Sequence, residues 1–592
     1  MRISKPNELF IRIWNRWAVG FFLIAALFGV TMRAFHIVEI PVLEYRHILH
    51  THSHIALLGW GFMMLIGTMI FELEGKQNFG KKYGWLFIAL LVSLLGMLFS
   101  FPVQGYGVVS ISFSTLFVLL SYAFIFKLWK TLGQKENTTG IRLIRWSLIG
   151  YLISTLGLWA LGPVTATLGR MHEMYFMTIQ WFLHFQLNAW FVLGTLGLIV
   201  FFAEKRGIKI LFSGNQEMVL LGSILLTYAL VVTWAAPSPM SFWINSVAVV
   251  LQAVAYFMVL RKIWKALPHL ELTRFVRGMI YLAMVSLIAK AILQLLLVVP
   301  AVAVISYTIR MFVIGFLHLV LLGAMTFGLA GLAMAEGRLP LSPLSKIGWV
   351  LVALGFVGTE LLLFGQGTMV WLALGYWSWY HTALFILAAL FPLGLLIALL
   401  SLFETVSSPN PFIEFPSITN QTKSQTMKKA MIWSMGIVAM LLTSCGGGSE
   451  SQSSSTGTSA PAEEAAAPAA DPKGIGEVKN VDLGTGIDPA LADKGKAIVD
   501  MKCTACHQLN DKRLVGPGFQ GVTNRRRPEW IMNMITNVDV MLDQDPEAQK
   551  LLEECLTRMP NQNISLDDAR GILEYMRVND EEKSGQRDAA VK

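Results

Sequence analysis

His52-Ser-His54-Ile-Ala-Leu-Leu-Gly-Trp60-Gly-Phe62-Met-Met-Leu-Ile-Gly-Thr-Met-Ile-Phe71-Glu72 is apolar almost throughout. At 1.5 Å per residue, about 20 such residues cross a hydrocarbon core roughly 30 Å thick. Twelve runs of this kind occur, near 17–38, 52–72, 84–104, 107–128, 143–165, 175–202, 217–236, 242–262, 277–300, 310–333, 346–367 and 379–402. The 592 residues are 54% hydrophobic and only 14% charged, against about 25% charged in soluble domains, so most of the chain sits in a bilayer. The first Asp is Asp471, and the residues beyond it are rich in both charge signs. The chain is therefore two proteins in one: an all-α, polytopic twelve-helix transmembrane bundle over 1–405 and a small α-helical domain over 479–592.

The net charge of +9 is not a nucleic-acid footprint, because Lys and Arg of the first part lie in short clusters between apolar runs. Arg2, Lys5 and Arg12 precede the first run; Lys76, Lys81 and Lys82 follow the second. Lys127, Lys130 and Lys135 follow the fourth, Lys205 and Arg206 the sixth, and Arg261, Lys262 and Lys265 the eighth. The first connection carries Glu39 and Glu44 instead. Positive charge marks the cytoplasmic side, so both ends of the bundle are expected inside and the odd connections outside.

That topology sorts the histidines. His36, His47, His50, His52, His54, His172, His184, His318 and His381 fall on the outer side, and His269 alone of the bundle histidines falls inside. Ionisable groups in a bilayer are costly unless paired or ligated, so a layer at one depth points to a binding site. Positions 47, 50 and 54 share one helical face, whereas His52 points elsewhere. Imidazole is a usual axial ligand of haem iron and also a copper ligand. His50, His54, His184 and His318 are accordingly the candidate ligands of one or two b-type haems between helices 2, 6, 10 and 12, with copper as the other option. Lys290 and Glu360 lie mid-bilayer, marking a proton path or counter-ions, or else pairing with each other. Arg33 and Arg310 end helices on the outer side, facing haem propionates or lipid headgroups. The segment from Trp371 to Trp379 suits an interfacial aromatic belt.

Twelve helices, a histidine-rich helix 2 and histidines in helices 6 and 10 resemble the large subunit of haem-copper oxidases and nitric oxide reductases. The stretches His52-Ser-His54-Ile-Ala-Leu-Leu-Gly-Trp60 and His184-Phe-Gln-Leu-Asn-Ala-Trp190 carry the likeness, over about residues 13–402. It implies a haem site using helices 2 and 10. In that family helix 7 bears an adjacent histidine pair for copper and helix 10 bears two histidines one residue apart; this chain has neither. A family of twelve-helix haem proteins associated with nitric oxide tolerance is a comparable likeness at the level of fold.

Residues 406–426 are a Ser-, Pro- and Asn-rich linker. Met427-Lys-Lys, an apolar core near 430–442 and Leu442-Thr-Ser-Cys445-Gly resemble a bacterial lipoprotein signal with Cys445 as the lipidation site. Uncleaved, segment 427–445 would serve as a short thirteenth span. A Gly/Ser then Ala/Pro/Glu tract over 446–478 reads as a disordered linker. Either route places the tail outside, on the side of the histidine layer.

Cys503-Thr-Ala-Cys506-His507 fits covalent haem: two thiols at this spacing add to two vinyl groups, and the next residue offers an imidazole to the iron. The tail from about 479 to 580 resembles a small class I cytochrome c. That resemblance makes Lys494–Lys502 the first helix and gives Pro517 a carbonyl that orients the histidine. It makes Met559, before Pro560, the second axial ligand, and Leu566–Tyr575 the last helix. Met501, Met532, Met534, Met541 and Met576 are competing thioethers. Cys555 is a structural thiol, and Arg525-Arg-Arg527 is a docking patch or a solvated face.

The expectation is a bacterial inner-membrane, multi-pass respiratory electron-transfer protein with a periplasmic cytochrome c. Its single haem c would exchange electrons with a b-type haem of the bundle, in the service of O2 or NO reduction. The tether of 33 residues reaches about 30 Å. The alternative is a non-catalytic haem-binding membrane protein joined to a cytochrome c that feeds a separate nitrogen-oxide reductase. A chance fusion with no joint function is a third option. Partners in each case are the lipid bilayer and periplasmic redox partners or other respiratory subunits.

Overall fold

The computed structural model describes residues 5–38, 40, 42–75, 79–169, 172–372, 374–404, 471–504, 506–513, 516–555, 559, 562 and 564–591. The linker 406–426, the signal-like segment 427–445 with Cys445, and residues 446–470 lie outside the described residues, as do Val515 and Pro560. No strand occurs among the described residues.

Twelve helices are long and apolar enough to cross a membrane. They are α1 Leu9–Ala34, α2 Tyr45–Glu74, α3 Gly80–Gln104, α4 Val108–Leu132, α5 Thr139–Leu168 and α6 Glu173–Glu204. There follow α7 Gly214–Ala235, α8 Pro239–His269, α9 Arg274–Leu296, α10 Arg310–Ala335, α11 Pro343–Trp371 and α12 Tyr380–Ser401. Most outrun their apolar cores because capped polar turns extend them. Thr138, Ser213, Ser238, Thr273 and Ser342 each accept a backbone N–H of the turn they start, satisfying a donor with no partner inside the helix. The first span starts eight residues before its apolar run, since Ile11 and Trp14 are buried and the Trp14 indole donates to the Met63 carbonyl at 3.0 Å.

Helices α2 and α6 are the innermost and α10 joins them. Each contains a π-helical stretch, Ile55–Phe62, Gln186–Phe191 and Leu319–Thr326. The Trp60 indole of the first donates to Thr326 Oγ1 of the third at 2.8 Å. Wide turns of this sort concentrate at functional sites. At the lysine-rich end, ion pairs tie the helices: Lys82–Glu74 at 2.6 Å, Lys205–Glu72 at 2.7 Å, Arg142–Glu217 at 2.5 Å and Arg206–Glu336 at 3.0 Å. The histidines of the outer layer lie toward the opposite helix ends, as the charge pattern predicts.

The tail folds into α13 Pro489–Lys502, α14 Val522–Arg525, α15 Pro528–Thr536, α16 Val538–Gln544, α17 Pro546–Cys555 and α18 Leu566–Ser584. Helices α13 and α18 cross at two glycines. A methyl group on Gly495 would fall inside van der Waals contact of the Gly571 carbonyl, which is backbone and cannot swing away. Gly495→Ala is therefore expected to destabilise the tail by about 3 kcal/mol or more, read as a lowered urea midpoint. Arg577, 3% exposed, binds the chain together by donating to Glu574, Asp588 and the carbonyls of Leu483 and Gly486.

The unit starts earlier than the linker reading allows. Val478 is buried, its N–H donates to Asn533 Oδ1 at 3.1 Å and the Asn533 amide donates back to the Val478 carbonyl at 2.9 Å. The tether therefore ends before about residue 471, because 474–478 pack on α15 and α16. The described residues of bundle and tail belong to one compact unit.

Candidate functional site

The end of α13 delivers Cys503 and the turn after it delivers Cys506 and His507. The His507 N–H donates to the Cys503 carbonyl at 2.9 Å, closing that turn. His507 Nδ1 lies 2.8 Å from the Pro517 carbonyl and its ring stacks on Phe519, with centroids 4.7 Å apart. With Nδ1 turned to a carbonyl, Nε2 is left to face a metal, the arrangement typical of a ligating imidazole. Gly516 is small by necessity, since a Cβ there would collide with the imidazole. Burial outweighs the pull of the Pro517 carbonyl and holds the imidazole below its ordinary pKa, so it is neutral, as ligation requires. Burial pushes the Cys503 thiol up to about 12. Met559 is partly buried against the core that contains Cys503. Its competitors are placed in helices: Met532 and Met534 in α15, Met541 in α16, Met576 in α18. Cys555 is buried at the end of α17. Arg526 pairs with Glu547 at 2.9 Å and lies over Trp530, so it is held within the domain.

The neutral buried imidazole has a consequence for pH. The unfolded chain takes up a proton near pH 6.5 that the folded site resists, so stability falls as pH drops below that value. The urea midpoint of the tail is expected to be lower at pH 5 than at pH 7.5.

Eight of the ten bundle histidines fall into three groups. His47, His50 and His54 do share a face, and it meets the outer end of α3. His47 Nδ1 lies 3.2 Å from the Pro102 carbonyl, His50 lies 4.5 Å from the Tyr106 ring and His54 lies 4.3 Å from the Phe101 ring. His184 forms a second group, its Nε2 at 2.8 Å from the Ile224 carbonyl on α7. The third group is His52, His318, His36 and His381. His52 Nδ1 contacts the Ala25 carbonyl of α1 at 2.8 Å, and His318 lies within electrostatic reach of His52 and Arg33. His318 Nδ1 is 3.9 Å from Glu360, and neither that nitrogen nor either Glu360 carboxylate oxygen has a hydrogen-bond partner among the described residues. The His36 and His381 rings stack at 4.5 Å, and Tyr376 Oη lies 2.6 Å from His381 Nε2. Burial first, then His381, Arg33 and Arg310, hold His36 well below its ordinary pKa.

The four candidates of the bundle are thus not brought together. His318 is accompanied by His52 rather than by His50 or His54, because the face that 47, 50 and 54 share is turned to α3. Periodicity alone sets His52 apart from that face; its signal in the sequence is the paired spacing His52-Ser-His54. Lys290 and Glu360 do not pair with each other: Lys290 is fully buried and donates to Gln294 at 2.5 Å. Among the described residues no three His, Cys, Asp or Glu side chains converge to hold a metal ion. A haem iron draws four nitrogens from its macrocycle and asks the protein for only one or two.

The cytochrome c family profile matches residues 492–579. The cytochrome c from Rhodothermus marinus is 41% identical, the similarity covering 19% of this chain and 100% of that one, with a TM-score of 0.19. An engineered cytochrome c from the same organism, Rma TDE, is also 41% identical, covering 19% of this chain and 99% of that one, with a TM-score of 0.18. No curated protein matches the chain. Twelve helices long and apolar enough to cross a membrane thus carry a tail that its haem-attachment motif and family match make a cytochrome c domain, so the chain is a multi-pass membrane protein with a haem c electron-transfer domain.

Proposed function

We propose that this protein carries electrons across the outer surface of a bacterial inner membrane, between a periplasmic haem c and a b-type haem seated in the outer half of the bundle. In the tail, Cys503 and Cys506 would hold the macrocycle through thioether bonds, with His507 and Met559 on the iron; the soft thioether favours ferrous iron. In the bundle, His52 and His318 would hold the haem. The observation that carries this assignment is the buried His318 Nδ1 beside two unpartnered Glu360 oxygens. A metal-bound imidazole donates its second N–H to a carboxylate or carbonyl, and Glu360 and the Ala25 carbonyl stand where His318 and His52 would use them. Arg33, within electrostatic reach of both His318 and Glu360, would offset anionic propionates. The histidine group and the tail share the side opposite the lysine-rich end, which supports the periplasmic assignment.

The test is a reduced-minus-oxidised spectrum of the full-length protein, with and without CO, beside the tail 471–592. A b-type band in the full-length protein alone is expected. A CO shift of that band would add an open iron site and point to O2 or NO reduction, whereas a c-type band alone would sink the bundle haem.

A further inference from the structure

We propose that the outer ends of α1 and α2 are the docking surface of the chain's own cytochrome domain, and that electrons cross there through the rings of Phe35, Tyr45, His36 and His381. The inference rests on the two-haem function above for its electron step, but not for its surface. Cys506, the second thiol of the haem motif, packs in one apolar cluster with Met32, Phe35, Tyr45 and Leu49. Two hydrogen bonds flank this contact. Gln508 Nε2 donates to the Phe35 carbonyl at 3.3 Å, and Arg46 Nη1 donates to the Glu554 carbonyl at 2.7 Å. Arg513 donates to the same carbonyl at 3.0 Å and to the Glu554 carboxylate at 2.8 Å, so a cation from each part grips one residue. Farther out, Tyr376 feels Asp500 and Tyr307 feels Asp539.

A haem held through Cys506 would be bonded to a residue that itself lies in this contact. From there the aromatic rings run inward: Phe35 to Tyr45 at 5.5 Å, Tyr45 to His36 at 6.5 Å and His36 to His381 at 4.5 Å between centroids. His36 and His381 lie within electrostatic reach of Arg33, as does His318. The step would be the transfer of a single electron from the tail's haem to the bundle's, with no bond made or broken. Arg46 is a positioning residue: it holds the tail in register and touches no cofactor.

Two measurements on the full-length protein decide this. With p-benzoylphenylalanine in place of Phe35, illumination is expected to crosslink position 35 to the peptide containing 503–513, identified by mass spectrometry. Crosslinks confined to bundle peptides, or to another molecule, would overturn the surface. In Arg46→Glu a carboxylate replaces the cation beside Glu554, and stopped-flow transfer from haem c to the bundle haem is expected to slow about tenfold with both spectra unchanged. An unaltered rate would overturn the role of Arg46. A wild-type protein without a b-type band refutes the two-haem function alone, and the crosslink still decides the surface.

Discussion

Replacing both Cys503 and Cys506 with serine is expected to abolish covalent haem on the full-length chain. Haem staining after boiling in detergent would fall from a strong band to none. Each single variant keeps one thioether and so keeps a stained band. Cys503 and Cys506 are free of disulfides, and they flank a turn that presents His507 between the Pro517 carbonyl and the Phe519 ring. Serine preserves that turn, which depends on backbone bonds from Cys506 and His507 to the Cys503 carbonyl, but its hydroxyl does not add to a vinyl group. In the double variant the proposed ligands His507 and Met559 would be the remaining attachments, and both would release when the domain unfolds. A stained band in the double variant would show that the haem is held covalently elsewhere. The b-type band of the bundle is expected to be untouched, since none of its proposed ligands lies in the tail.

The spans were legible because each needs only a run of apolar residues, and the haem motif because two thiols and an imidazole must stand close in sequence to meet one macrocycle. Gly495 gave no comparable signal. A glycine in a helix reads as a defect of about 1 kcal/mol until the crossing helix brings Gly571 against it. Nothing in the sequence marks Arg577 as buried either; loops from both ends of the tail supply its partners. The histidine run of α2 shows the limit most clearly. Periodicity correctly grouped 47, 50 and 54 on one face and set His52 apart, yet what lies opposite a face is decided by tertiary packing. The helix also widens into π-helical turns directly after His54, so a wheel drawn at 3.6 residues per turn loses register there.

Alanine at His318 or at His52 is expected to remove the b-type band of the full-length protein while the c-type band stays, whereas alanine at His54 is expected to leave both. The contrast follows from where the three rings point. His318 sits with an unpartnered Nδ1 near a buried Glu360 whose oxygens are unpartnered among the described residues, and on the proposed assignment it would share one iron with His52 of the facing helix. His54 instead returns its Nδ1 to the His50 carbonyl within its own helix at 2.9 Å and packs on Phe101. Glu360→Gln separates ligation from orientation. Glutamine keeps a hydrogen-bond acceptor for His318 Nδ1–H but cannot ionise, so the band is expected to persist with a raised reduction potential, because a less electron-rich imidazole stabilises ferric iron less. Spectra and redox titration of the three histidine variants and Glu360→Gln, each compared with the wild-type c-type band as internal standard, test the assignment. Loss of the b-type band in His54→Ala with retention in His52→Ala would return the site to the face that meets α3.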